Sequence, residues 1–177
     1  MDRESTSYWL NQIIPAELTF ADRAGHHLAF AALPNEENLV ATTEFANIDT
    51  GLQAPDEGTP KPVRCELLSV ARAPQEELAA VLIEAAELLD AARVIPAQPG
   101  TLLPKLGPGK HGMLVAPWLW GGQTPQLKEP DRWTLMLQLV ALTDEEYGFA
   151  VEEGVPAFQQ AVAEASIDLL DWTRFPG

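Results

Sequence analysis

A chain of 177 residues, 46% hydrophobic and 21% charged, is long enough to bury a core without metal or disulfide staples. Its 26 acidic and 11 basic residues leave a net charge of −15, which works against nucleic acid and anionic membrane as partners because neither can be neutralised by scattered cations. The lone Cys65 excludes an internal disulfide and suits a reducing compartment, so the expectation is one cytoplasmic domain over 1–177.

The opening stretch MDRESTSYWLNQIIP has early acids and a brief apolar run, unlike a secretory signal or a membrane span. Residues 5–14 predict a short helix: Ser5 or Thr6 caps it, Trp9, Leu10, Ile13 and Ile14 recur at helical spacing, and Pro15 stops it. Three β-like stretches follow at 18–23, 27–33 and 39–45, separated by polar turns, and predict an antiparallel meander. Residues 46–62 are rich in Pro, Gly and acid and longer than most loops inside a compact domain, which predicts either a recognition loop or an insertion without a role. A strand resumes at 63–71, with Arg64, Glu66 and Leu68 on one side and Cys65, Leu67 and Ser69 on the other.

Pro74 opens the clearest helix, in which Leu78, Leu82, Ala85 and Leu89 form one apolar stripe and Glu76, Glu84, Glu87 and Asp90 lie outside it. The run VIPAQPGTLLPKLGPGKHG after Arg93 holds four prolines and four glycines, which predicts a long loop with little regular structure. Strands at 113–120 and 133–142 are apolar at nearly every position, as expected of central strands covered on two sides. Thr143 and Glu146 make a T-x-x-E capping box, so a helix starts at Asp144. Gly154 is placed to end it, and Pro156 to begin another that buries Phe158, Val162 and Ile167. The elements predict an α+β fold: a mixed, largely antiparallel sheet with helices packed on it.

The chain offers little assembled chemistry. His26 and His27 are strand neighbours that point to opposite faces and cannot share one ion, and no cysteine lies at ligand spacing to them or to His111, so no metal or other cofactor is expected. Cys65 lies mid-strand, where burial makes it an inert core thiol. No serine sits in a nucleophile elbow, and GPGKHG lacks phosphate-loop spacing. Arg64 and Glu66, on one strand face with apolar neighbours, are either a structural pair or readers of a ligand. Trp118 and Trp120 share a predicted strand face and either fill the core or anchor a partner. The acids Asp49, Asp56 and Glu57 of the long loop are a candidate contact surface for a basic protein. The alternative is an enzyme or small-ligand site near Arg64, Glu66 and His111.

Several stretches in order, NLVATTEF, VRCELL, PQEELAAVLIEAAELL, PGT, GMLVAPW, LMLQLVALTDEE and the late D-W-T-R, resemble the bacterial suppressor-of-fused (SUFU-like) domain family over roughly 26–174. The chain departs from that pattern at ANIDTG after the third strand and at Ala141, where the family has a proline before the capping box. The resemblance implies a SUFU-like fold and no enzymatic activity. It also implies a protein partner, since animal members sequester a transcription factor and bacterial ones are regarded as immunity proteins against secreted toxins. On that basis the expected partner is another protein, such as a basic nuclease toxin.

Overall fold

The computed structural model describes residues 3–48, 51–54, 59–92, 97–120 and 125–175. Helix α1 (Arg3–Ile13) begins two residues before the apolar spacing implied and buries Thr6, Trp9 and Leu10. Strands β1 (Thr19–Arg23), β2 (His26–Ala32) and β3 (Asn38–Thr42) form the expected antiparallel meander. Between the first two, Ala24 and Gly25 take positive φ of 48° and 82°, the mirror-image turn whose twist matches the flanking strands.

A 3-10 turn at Phe45–Asn47 and the two-residue β4 (Gln53–Ala54) lead into β5 (Lys61–Ala71). Helix α2 (Gln75–Ala92) follows, then β6 (Leu102–Gly107), β7 (Lys110–Val115), β8 (Gln126–Lys128) and β9 (Trp133–Leu142). Helices α3 (Asp144–Glu153) and α4 (Val155–Glu164) and a 3-10 turn at Trp172–Arg174 end the described chain. The nine strands among the described residues join in one sheet of order β1-β2-β3-β5-β9-β7-β6, with β4 added to β5 and β8 to β9. Among the described strands only β5 and β9 pair in parallel, and the other strand pairings are antiparallel. The fold is therefore the mixed, largely antiparallel α+β arrangement expected.

Helices cover both faces. Helix α2 lies on one, where Leu78, Leu82, Ala85 and Leu89 meet Leu67, Leu114, Leu137 and Leu139 from the sheet. The other face is divided. Over β2, β3 and β5, Trp9, Leu10 and Ile14 of the α1 region pack on Ala29, Leu39, Leu68 and Met136. Over β7 and β9, Ala150 and Phe158 of α3 and α4 pack on Met113, Val115, Val140 and Leu142. Alternation along β9 sends Leu135, Leu137 and Leu139 to one helix layer and Met136, Val140 and Leu142 to the other, which is why that strand reads as continuously apolar.

The Thr143 capping box is complete: Glu146 N–H donates to Thr143 Oγ1 at 3.2 Å, and Thr143 N–H donates to Glu146 Oε1 at 2.9 Å. The same carboxylate takes Arg174, whose Nε and Nη2 each donate to it at 3.0 Å. Arg174 also donates to the carbonyls of Ala141, Leu169 and Asp171. The D-W-T-R stretch thus ties the chain end to the α3 cap, with Trp172 buried under the α2 layer.

Three expectations need correcting. The Pro- and Gly-rich run after Arg93 is not a loop throughout, because 102–115 form the β6–β7 hairpin. Pro104 falls inside a register irregularity where Lys105 takes φ 57°, on the outermost strand of the order, where a missing N–H breaks no ladder. The strand expected over 113–120 stops at Val115, since Pro117 cannot donate to a ladder. Ile167 lies beyond α4 and is 38% exposed rather than buried.

Candidate functional site

Arg64 and Glu66 meet at a gap in the edge of β5. Strand β4 pairs with residues 61–62 of β5 and β3 with 68–71, and the 45–47 turn fills the interval. Glu66 is fully buried. Its carboxylate accepts from the Thr42 hydroxyl at 2.7 Å, from Phe45 N–H at 2.9 Å and from Ala46 N–H at 2.9 Å. Arg64 Nη1 and Arg132 Nη1 donate to the Ala46 carbonyl at 3.0 and 3.1 Å. Both polar groups of the Ala46 backbone are therefore held by side chains from the central strand region, and the turn that opens the 48–60 segment is fixed from both sides. Burial pushes the Glu66 carboxyl up to about 7, against the lowering effect of its three hydrogen-bond donors and with Glu44 adding to the rise. Through these bonds Arg64 and Glu66 hold the chain's own turn and the Thr42 hydroxyl.

The three residues of the alternative small-ligand site are not brought together. Arg64 pairs with Thr134 and His111 with Leu142, eight residues apart along β9, about 26 Å at extended rise. Lys105 N–H donates to His111 Nδ1 at 3.0 Å, so the proton sits on Nε2, which donates to Asp144 Oδ1 at 2.7 Å. The ring stacks on Tyr147 and pins the β6–β7 hairpin to the start of α3. His26 meets Glu87 of α2 at 3.1 Å, while His27 stacks on Phe20 and contacts Thr43 Oγ1 at 2.7 Å. Cys65 is buried, and its thiol is pushed above its usual range by burial first and by neighbouring Glu66 second.

Trp118 and Trp120 lie in a turn beyond β7 rather than on a strand. Trp120 is partly buried against the α1 cluster, and its indole N–H donates to the Ile13 carbonyl at 2.7 Å. Trp118 is 46% exposed, although its backbone N–H is fixed by the buried Gln138 side chain at 2.9 Å. With Leu119, Val70, Leu170, Glu37 and Gln138 it lines a groove of about 270 Å3 on the face divided between α1 and α3–α4. The roles of Leu119, Leu170 and Gln138 were missed from sequence. The single glutamine in the apolar run LMLQLV was the available signal, since a buried amide must be hydrogen-bonded. Asp49, Asp56 and Glu57 lie outside the described residues. Among the described residues no group of three metal-ligating side chains converges, and no helix is long and apolar enough to cross a membrane.

No protein-family model matches the sequence, and no curated protein matches it at a significant level. Solved structures do match the fold. The crystal structure of a SUFU (suppressor of fused protein) homolog from Neisseria gonorrhoeae FA 1090 matches with a TM-score of 0.64, covering 96% of this chain and 92% of that one at 14% identity. The Sufu-Fu complex crystal structure matches with a TM-score of 0.55, covering 93% and 82% at 12% identity. At such identities the likeness concerns the fold, and the fold of this chain is SUFU-like, as its sequence stretches implied.

Proposed function

We propose that this chain is a non-enzymatic protein-binding module whose partner carries a basic surface. The observation that carries the reading is Trp118, a large aromatic left 46% exposed on a backbone fixed by Gln138, beside an apolar groove. An indole presented this way costs little ordering entropy on binding and is the side-chain type that most often dominates an interface. One solved structure of the same fold is a complex of two proteins, Sufu and Fu, which supports a protein ligand here. The net charge of −15 favours a basic one, since long-range attraction raises encounter rates. Asp49, Asp56 and Glu57 supply a second, electrostatic contact in this reading. A cytoplasmic immunity protein that covers a basic toxin such as a nuclease satisfies these features together.

Binding kinetics test this. The partner is captured with the intact protein, and association is then measured at low and high salt for the wild type and for Asp49→Asn/Asp56→Asn/Glu57→Gln. The expected result is an on-rate that salt slows far more than it alters the off-rate, with the loop variant slower at low salt. Equal rates in wild type and variant remove the loop from the interface, and a partner without a basic face removes the steering argument.

A further inference from the structure

A buried amide has a donor and an acceptor to satisfy, and the Gln138 side chain satisfies one of them. Gln138 is 1% exposed, within the apolar strand β9. Its Oε1 is fixed as the acceptor, because it takes the Trp118 backbone N–H at 2.9 Å, so the other end of the amide is the Nε2 donor. That donor has no acceptor among the described residues. It opens on the groove that Gln138 lines with Trp118, Leu119, Val70, Leu170 and Glu37. The indole N–H of Trp118 likewise has no acceptor among the described residues.

These groups define what the groove can hold. Its walls, Val70, Leu119 and Leu170, carry no polar side chain. The acceptors among its lining side chains are already engaged, Gln138 Oε1 by Trp118 N–H and the Glu37 carboxylate by Arg72 at 3.7 Å. An occupant therefore meets side-chain donors without uncommitted side-chain acceptors, and an N–H carried into the groove would lose its water without replacement. Among protein segments, one built on proline meets that condition. It offers carbonyl acceptors, has no N–H at the proline, and packs its ring on an aromatic face as polyproline II segments do in aromatic-lined grooves. At about 270 Å3 the groove is smaller than most small-molecule sites. On the rim Arg72 is shared between Glu37 and Asp168, so carboxylates outnumber the guanidinium there and suit a basic residue beside the proline.

We infer that this groove receives a proline-containing segment of the protein partner, flanked by a basic residue, whose backbone carbonyl accepts from Gln138 Nε2 while its proline ring lies on the Trp118 indole. This assignment rests on the protein-binding reading above and deepens it by naming the occupant of the Trp118 groove. Strand β9 and the bond between Trp118 and Gln138 hold the donor and the indole in place before the partner arrives, and a polyproline II segment is itself preformed, so little ordering cost falls on either side.

The test titrates acetyl-Arg-Pro-Pro-Arg amide into the full chain and follows the backbone, Gln138 side-chain and Trp118 indole N–H resonances by NMR. Acetyl-Arg-Ala-Ala-Arg amide is the probe of equal charge that restores the N–H groups. Saturable shifts confined to residues 37, 69–71, 117–120, 138 and 169–171 are expected, with the Gln138 Nε2 protons moving downfield and the alanine probe binding about tenfold more weakly. Leu170→Trp, uncharged and at a partly exposed wall position, fills the groove and should abolish the shifts, and an unchanged spectrum away from the groove verifies that it folds. The Gln138 resonance of the wild type decides the amide contact without any variant. Equal affinity for the two probes, an unmoved Gln138 amide, or shifts scattered over the acidic surface overturn the inference. With the captured partner, Leu170→Trp should bind about tenfold more weakly or worse. A partner that loses affinity with Trp118→Ala but not with Leu170→Trp overturns the groove occupant and leaves the binding function intact. A chain that takes the proline probe but forms a complex with no protein loses the binding function, and this assignment falls with it.

Discussion

Replacing Glu66 with Gln isolates the contest between burial and hydrogen bonding at the turn clamp. The Glu66 carboxylate receives three donors, which favour its ionised form, yet it is fully buried, which disfavours it; burial prevails, raising it from its ordinary 4.5 to about 7. A folded-state value above the unfolded one means that the native protein takes up this proton first as pH falls. The associated stabilisation is fully present below about pH 4.5 and is lost as pH rises through about 7. At about 1.36 kcal/mol per pH unit, that interval is worth about 3 kcal/mol. Gln does not titrate, so the stability difference between wild type and Glu66→Gln, from urea unfolding at pH 4.5 to 8, cancels the other titrating groups. The difference should move by about 3 kcal/mol in favour of wild type between pH 8 and pH 4.5, with its upper midpoint near 7. Thr42 can accept the carboxyl proton by turning its own hydroxyl toward the Leu67 carbonyl at 3.4 Å, whereas the amide nitrogen introduced by Glu66→Gln cannot accept and leaves Phe45 N–H or Ala46 N–H without its partner, a cost that does not vary with pH and so leaves the slope of the difference unchanged. A flat difference, or one moving against the wild type on acidification, would show that the three donors outweigh burial.

Other outcomes follow from the packing. Leu82→Ala should cost about 2–5 kcal/mol in urea unfolding, because Leu82 is fully buried between α2 and the sheet and leaves a poorly relaxing cavity; a silent change would mean that the stripe does not face the core. Gly112→Ala should cost about 1–3 kcal/mol, since an added Cβ would lie 2.6 Å from Leu106 Cδ1 and 2.7 Å from Leu139 Cδ1, both on buried side chains. An unchanged melting temperature would contradict that close approach. Cys65 should resist a thiol reagent in native buffer at pH 8 and react on addition of denaturant, because it is buried and its thiolate is suppressed; rapid native labelling would place it near the surface.

Signals local in the sequence were the legible ones. The continuous apolar run of β9, the α2 stripe and the T-x-x-E box each encode their structure within a few residues, and β9 spans the predicted 133–142. The β6–β7 hairpin was hidden because Pro104, Gly107, Pro108 and Gly109 read as breakers. An outer strand with a register irregularity tolerates them, and only the position of β6 in the sheet reveals that it is such a strand. The parallel pairing of β5 with β9 spans α2 and the hairpin and leaves no mark at either strand alone. Spacing showed that Arg64 and Glu66 share a face. Their common target, the backbone at 45–46, depends on where β3 leaves the sheet. Likewise the two tryptophans are separated in role by long-range contacts, one to Ile13 and one to Gln138.

The affinity of the captured partner for Trp118→Ala, measured by titration calorimetry beside the wild type, tests the central claim most directly. Trp118 is exposed, so its removal should leave the melting temperature unchanged while weakening binding by about 2 kcal/mol, roughly thirtyfold in Kd. An affinity equal to that of the wild type, or a protein that forms no stoichiometric complex and instead turns over a small molecule, would contradict the account.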